Sequence, residues 1–136
     1  MSLTKMIANR QVRNIGLNYK LQWKQIYSLL YENVKDNFLR WFQLRILHNI
    51  LATNNFLYKI KILNFEKCTF CNNFPETIDH LFWKCEIVQI FHNKIKDILE
   101  KTDAQYRPEE MSFVLGNLEN RNHYLFILEI KSFIYW

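Results

Sequence analysis

The stretch Cys68-Thr-Phe-Cys71-Asn-Asn-Phe-Pro-Glu-Thr-Ile-Asp-His80-Leu-Phe-Trp-Lys-Cys85 contains all three cysteines of the chain and one of its four histidines. Structural zinc sites take four thiolate or imidazole ligands in a closed tetrahedron. We therefore predict that Cys68, Cys71, His80 and Cys85 bind Zn²⁺. The alternatives are three free buried cysteines near an unrelated histidine, or a redox-active Cys-x-x-Cys pair. The clustering and the turn-forming residues between the ligands favour zinc.

The spacing of the ligands also predicts the role and the local geometry of the site. Four protein ligands leave no coordination position for water, which excludes the usual hydrolytic role of zinc. Asn72-Asn73 suits a tight turn, and Pro75 suits the start of a helix. Positions five apart on an ideal α-helix differ by about 140° around the axis, so His80 and Cys85 cannot share one face. We expect that the helix is distorted or ends near Lys84.

The composition predicts an all-α protein, a small helical bundle with an embedded CCHC zinc knuckle. Of the 136 residues 49% are apolar, which is enough for a core, and only two glycines and two prolines interrupt the chain. No uninterrupted apolar run of about 18 residues is present, and residues 1–13 lack the apolar segment of a secretory signal. We therefore expect an intracellular protein, nuclear or cytoplasmic, with no membrane contact. A reducing compartment favours metal binding over disulfides.

Hydrophobic periodicity predicts one helical domain. Residues 1–16 are expected to form a flexible N-terminal segment and residues 17–136 a single zinc-binding domain, with basic helices at 17–67, the zinc knuckle at 68–85 and C-terminal helices at 86–136. The segment 38–51 is apolar nearly all round, so it should be the most enclosed helix. The last helix has no closing residue, so we expect that the chain was cut short. The other predicted helices span residues 17–34, 56–62, 86–101, 111–115 and 123–136. A helix stop and an N-cap are predicted at residues 53–55, just before the helix at 56–62.

Three histidines lie outside the cysteine stretch. None of them has a partner at ligand spacing, so they are expected at the surface or between helices. These are His48, His92 and His123. The predicted inward face of helix 86–101 consists of Ile87, Ile90, Phe91, Ile95, Ile98 and Leu99, and the aromatic residues assigned to the core are Trp23, Trp41, Phe42, Phe82 and Trp83.

Positive charge is concentrated in the first half of the chain. Residues 1–67 carry eleven Lys or Arg and three acidic residues, a net charge of +8, whereas residues 68–136 carry −3. Clustered cations suit a polyanion, because phosphates that they neutralise release counterions. The alternative is a solvated helical surface with incidental charge. For RNA or DNA as the partner, the predicted contacts are Lys20, Lys24, Arg40, Arg45, Lys59, Lys61 and Lys67.

The cysteine stretch, with Pro75-Glu-Thr77, then His80-Leu-Phe82, then Cys85, resembles the zinc-binding domain that follows the polymerase in reverse transcriptases of LINE-type, non-LTR retrotransposons. The resemblance implies a module that helps the polymerase to hold template RNA or target DNA, with the polymerase domain as a further partner. The similarity extends to Arg40–His48, Leu51–Asn54, Phe113–Gly116 and Ile130–Tyr135.

The chain departs from that family at two positions beside the ligands. Asn72 stands where the family often has glycine, and Glu86 where it often has proline. Asparagine tolerates a left-handed backbone, and glutamate suits a first helical turn, so both are compatible with zinc binding.

The sequence predicts no catalytic site. Nucleotide transfer with two magnesium ions needs paired aspartates, whereas Asp36, Asp79, Asp97 and Asp103 are isolated from one another. The sequence has no Gly-rich phosphate loop and no convincing nucleophilic triad, so we expect neither an enzyme nor a small-molecule substrate. The alternatives to nucleic-acid binding are a zinc-stabilised protein-interaction module and an inactive retroelement fragment.

Overall fold

The computed structural model of the protein describes residues 20–102, 108–116 and 120–136, and helices account for most of these residues. The helices of these ranges are α1 (Lys20–Asn33), α2 (Asn37–Leu47), α3 (Asn54–Lys59), α4 (Glu86–Leu99), α5 (Glu110–Leu115) and α6 (Arg121–Tyr135), with a π-helical turn at His80–Lys84. The described part contains no strand, only an isolated bridge between Lys67 and Pro75. The predicted all-α class is confirmed.

Some sequence predictions lie outside the described residues. These are the flexible segment 1–16, the start of the helix predicted at 17–34, and parts of the two connections around α5. None of the described helices has the length and apolar character needed to cross a membrane.

Helix α2 lies at the centre of the bundle and packs against α1, α5 and α6. It begins at Asp36, whose carboxylate accepts the Leu39 N–H at 2.9 Å, and it ends at His48, before the left-handed Asn49 (φ 57°). Every residue of its second half except Arg45 is buried. Its first half is less enclosed than predicted, because Phe38 and Trp41 are 57% and 60% exposed, and the assignment of Trp41 to the core is wrong.

Helix α1 packs on the end of α2 through its apolar stripe. Trp23, Tyr27 and Leu30 of this stripe are buried, and the assignment of Trp23 to the core is confirmed. The Tyr27 hydroxyl lies 2.8 Å from Nε2 of the buried His48, which joins the two helices. Burial, with a smaller effect of Tyr31, raises the pKa of Tyr27 to about 12, so the phenol remains neutral.

The face that helix α4 presents to the core agrees only in part with the predicted one. Val88 is buried, and Phe91, Ile95 and Leu99 pack against the core, at positions i, i+3, i+7 and i+11. The other predicted inward residues, Ile87, Ile90 and Ile98, are exposed. The helix lies at the edge of the bundle and packs mainly on the π turn, so only one narrow stripe finds a partner.

A buried lysine connects three helices. Lys131 of α6 is 1% exposed, and its ammonium donates to Gln43 Oε1 of α2 at 2.6 Å and to the Val114 carbonyl of α5 at 3.0 Å. The Gln43 amide donates to the same carbonyl at 3.2 Å. A cation in this position must keep its acceptors, because an uncompensated buried charge is strongly unfavourable.

We expect Gln43→Leu to destabilise the zinc-loaded protein by about 2–3 kcal/mol, because it removes an acceptor from the Lys131 ammonium. The double variant Gln43→Leu/Lys131→Met should recover part of this loss, because the buried charge is removed together with its acceptor, whereas the Val114 carbonyl loses both of its donors. Urea unfolding of the four proteins of the cycle measures both effects. Additive losses in the double variant would contradict the role given to this pair.

Candidate metal centre

The first two predicted ligands lie on a tight loop closed by backbone hydrogen bonds. The Cys68 N–H donates to the Phe74 carbonyl at 2.8 Å, and the Asn72 N–H donates to the Cys68 carbonyl at 2.9 Å. Asn72 has a left-handed backbone (φ 56°), which asparagine tolerates better than most residues. This loop turns the Cys71 side chain back toward that of Cys68, as the sequence predicted.

The third and fourth predicted ligands flank the π turn. Thr77 Oγ1 accepts the His80 N–H at 3.1 Å at its start, and the Cys85 N–H donates to the His80 carbonyl at 2.8 Å at its end. This i→i+5 hydrogen bond adds one residue to the helical turn. The side chains of His80 and Cys85, which are five positions apart, therefore come to the same side of the helix. The predicted distortion of the helix near Lys84 is confirmed, and its form is a π turn.

The structure brings the four predicted ligands together. Their ligand atoms, one from each of Cys68, Cys71, His80 and Cys85, all lie within 4.8 Å of one another. The Cys68 and Cys85 sulfurs are 3.9 Å apart, close to the edge of about 3.8 Å that a tetrahedron with 2.3 Å Zn–S bonds requires. Cys71 Sγ lies 3.2 Å from His80 Nε2. The three cysteines form no disulfide, so the donor set and its spacing fit a tetrahedral zinc ion.

Burial and backbone dipoles act in opposite directions on the ligands. Burial raises the pKa of the Cys68 thiol to about 12, against the lowering effect of the Cys71 and Phe70 N–H groups. The Asn73 and Phe74 N–H groups lower the pKa of Cys71. Metal binding at this site therefore includes release of the Cys68 proton, and protons compete with the metal.

The imidazole of His80 is held in the form that binds metals. Burial lowers its pKa below the ordinary value, with an opposing contribution from Glu76 and a further lowering by Lys84. A neutral ring nitrogen is the ligand that zinc requires.

A buried carboxylate connects the loop at residues 68–74, called the metal loop below, to α3. Glu76 is 7% exposed, and its two oxygens accept the Asn54 N–H at 3.0 Å and the Thr69 N–H at 2.9 Å. The Asn54 amide donates in turn to the Lys67 carbonyl at 2.8 Å. Glu76 thus lies at the positive N-terminus of α3, next to its cap Thr53, and fixes the residue that follows Cys68. From the sequence alone, the available signal for this role of Glu76 is its place in the Pro75-Glu-Thr77 motif.

The predicted nucleic-acid contacts lie on several elements. Lys24 of α1, Arg45 of α2, Lys59 of α3 and the following Lys61 and Lys67 are exposed.

Arg40 differs from these residues, because its guanidinium is already engaged. It donates to the Val34 and Tyr31 carbonyls and lies over the Tyr31 ring at 4.9 Å. The side chain of Lys20 lies outside the described residues.

Comparison with known proteins agrees with this geometry. A family model described as zinc-binding in reverse transcriptase matches residues 5–91, more than half of the chain, and includes all four clustered residues. The comparisons with curated proteins and with solved structures gave no match.

We expect Glu76→Ala to weaken zinc binding about tenfold or more, because it removes the acceptor that positions the Thr69 N–H beside Cys68. Competition with a chromophoric chelator measures the affinity. Glu129→Gln, at an exposed position of α6, is the matched control and should bind zinc as the wild type does. Equal affinities of the Glu76 variant and the control would show that the carboxylate does not support the site.

Chelation of the metal should loosen residues 67–90 first and leave α1 and α2 more protected. The metal loop has few apolar side chains of its own, whereas α1 and α2 bury an apolar stripe against each other. Hydrogen exchange with and without a chelator measures this difference along the chain. Uniform loss of protection would contradict it.

Proposed function

Because the chain belongs to the family of zinc-binding domains of reverse transcriptases, we propose that it is a non-catalytic module that binds RNA or DNA through basic helices. In this proposal Cys68, Cys71, His80 and Cys85 hold one zinc ion, and the module derives from a LINE-type element. The convergence of these four side chains within 4.8 Å supports the zinc site, and the exposed Lys59, Lys61 and Lys67 in the positively charged half of the chain support nucleic-acid binding.

The metal has a structural role in this proposal. Three sulfurs and one imidazole complete a tetrahedron, so no position is left for a water nucleophile. Zinc bound here would hold the Cys68 loop against the π turn, which itself packs on α4, α5 and α6. Binding free energies of about 10–16 kcal/mol at such sites are large enough to fix this arrangement.

Freshly purified protein should contain one zinc ion per chain by elemental analysis, and Cys68→Ser should contain much less, because the buried sulfur is one of four donors. His123→Gln is the control, since this histidine lies on α6 and outside the cluster. Wild-type protein without zinc, or a Cys68 variant with a full complement, would overturn the proposed ligand set.

The proposed nucleic-acid surface begins at the metal loop. Lys59, Lys61 and Lys67 are exposed on the segment that runs from α3 to Cys68. The hydrogen bonds from Asn54 to the Lys67 carbonyl and to Glu76 hold the two ends of this segment together. Zinc binding would therefore help to position these lysines, although the metal does not contact them.

Replacing Lys59, Lys61 and Lys67 together by Ala should weaken binding to single-stranded RNA or DNA and reduce the slope of log K against log salt by about 2, because three phosphate contacts are lost. Fluorescence anisotropy at several salt concentrations measures the slope. The triple Ala variant of Lys94, Lys96 and Lys101 is matched in number and charge and should change the slope little, since these lysines lie in the acidic half of the chain. Equal slopes in the wild type and the first variant would defeat the proposed surface.

A protein-interaction role is the second candidate, and the exposed apolar residues of α4 and α6 favour it. Ile90, Ile98 and Phe133 are 54%, 68% and 72% exposed, and Phe133 stacks on Phe91 at 5.7 Å. The partner in this second candidate would be another protein, such as a polymerase domain. The third alternative, an inactive fragment, would be indicated if the zinc-loaded chain did not fold cooperatively.

A further inference from the structure

A cleft of about 310 Å³ lies beside the first half of α2, away from the metal centre. Phe38, Trp41 and Arg45 recur at positions i, i+3 and i+7, so they form one stripe along the helix. Trp136 lies opposite, with its ring centroid 5.9 Å from that of Phe38, and the buried Phe42 forms the floor. The metal centre and the proposed lysine contacts make no use of this aromatic surface.

We propose that this cleft is a base-stacking subsite for single-stranded RNA or DNA. The proposal rests on the nucleic-acid binding proposed above and adds to it the residues that contact bases rather than phosphates. Any base has a π face, so a cleft with accessible rings accepts a nucleotide without a sequence-specific hydrogen bond.

The exposure of the rings supports this role. Phe38 and Trp41 are 57% and 60% exposed, although rings of this size normally dominate the burial of apolar area. They stand on a rigid base: Tyr135 packs against Phe42 at 5.6 Å and edge-on against Trp136 at 4.8 Å. The cleft is therefore formed before a ligand arrives, which lowers the entropic cost of binding.

The charge at the rim of the cleft favours a nucleotide. Arg45 is exposed, and in the described part of the chain no carboxylate lies within ion-pair distance of it. Helix α2 contains two arginines and no acidic residue, and Asp36 before it is engaged as the helix cap. A cation next to exposed rings offers the two contacts that a nucleotide needs, one for the phosphate and one for the base.

An apolar protein segment fits this cleft less well than a nucleotide does. Such a segment would bury the Arg45 charge without a partner, which costs free energy. The exposed isoleucines of α4 provide a more suitable surface for a protein, since they form an apolar stripe on another helix.

Two oligomers of equal length test the subsite: single-stranded DNA with its bases, and the same backbone with tetrahydrofuran spacers in place of the bases. The zinc-loaded wild type should bind the first more tightly. Trp41→Ala should lose roughly 5- to 100-fold in affinity for the oligomer with bases and little for the spacer oligomer, because stacking is lost and phosphate contacts remain. Trp41→Phe should retain most of the affinity. A single-stranded RNA arm shows whether the sugar matters.

Phe65→Ala is the matched control, since Phe65 is 56% exposed and lies outside the cleft; it should bind both oligomers as the wild type does. Zinc content and circular dichroism verify that each variant is folded. If the wild type binds both oligomers equally, or if Trp41→Ala binds both as the wild type does, the subsite is refuted and the phosphate-binding function stands. An equal loss on both oligomers also refutes it. If the wild type binds neither, the proposed function itself fails.

Discussion

The hydrogen bond from the Cys85 N–H to the His80 carbonyl is the constraint on which the rest of the structure depends. A regular α-helix would direct these two side chains to different faces, whereas the π turn directs both toward the Cys68 loop. The same turn buries Leu81 and Phe82 in the core, where Phe82 meets Phe42 of α2 edge-on at 6.2 Å. The metal centre and the helical bundle therefore share one element, and a metal that stabilises the turn also stabilises the packing around it.

A second connection runs from the metal loop to the basic part of the chain. The Glu76 carboxylate accepts backbone N–H groups from both the loop and the start of α3, and it is nearly inaccessible to water. Hydrogen bonds of this kind to a buried charge are strong and directional. The exposed lysines at the end of α3 and before Cys68 thus depend for their position on a segment that the metal centre orders. In the proposed function, this coupling would let a site with few basic residues organise the lysine surface that is proposed to bind phosphates.

The features that the sequence predicted correctly are local ones. The four-residue cluster, the Thr53 cap, the left-handed Asn72 and the distortion before Cys85 all follow from the spacing and chemistry of near neighbours. The inward face of α4 cannot be predicted from near neighbours, because the apolar residues of this helix form more than one stripe. Only the position of the π turn determines which stripe faces the core. Lys131 and its acceptor Gln43 are 88 residues apart, and the exposure of Trp41 depends on which helices leave α2 uncovered. No periodicity contains that information.

X-ray absorption spectroscopy at the zinc edge of the purified protein tests the central claim most directly, because it measures the number and kind of ligand atoms around the metal. The account predicts three sulfur neighbours at about 2.3 Å and one nitrogen at about 2.0–2.1 Å, with no oxygen ligand. A shell with fewer sulfurs and a coordinated water, or a chain without a zinc signal, would contradict it.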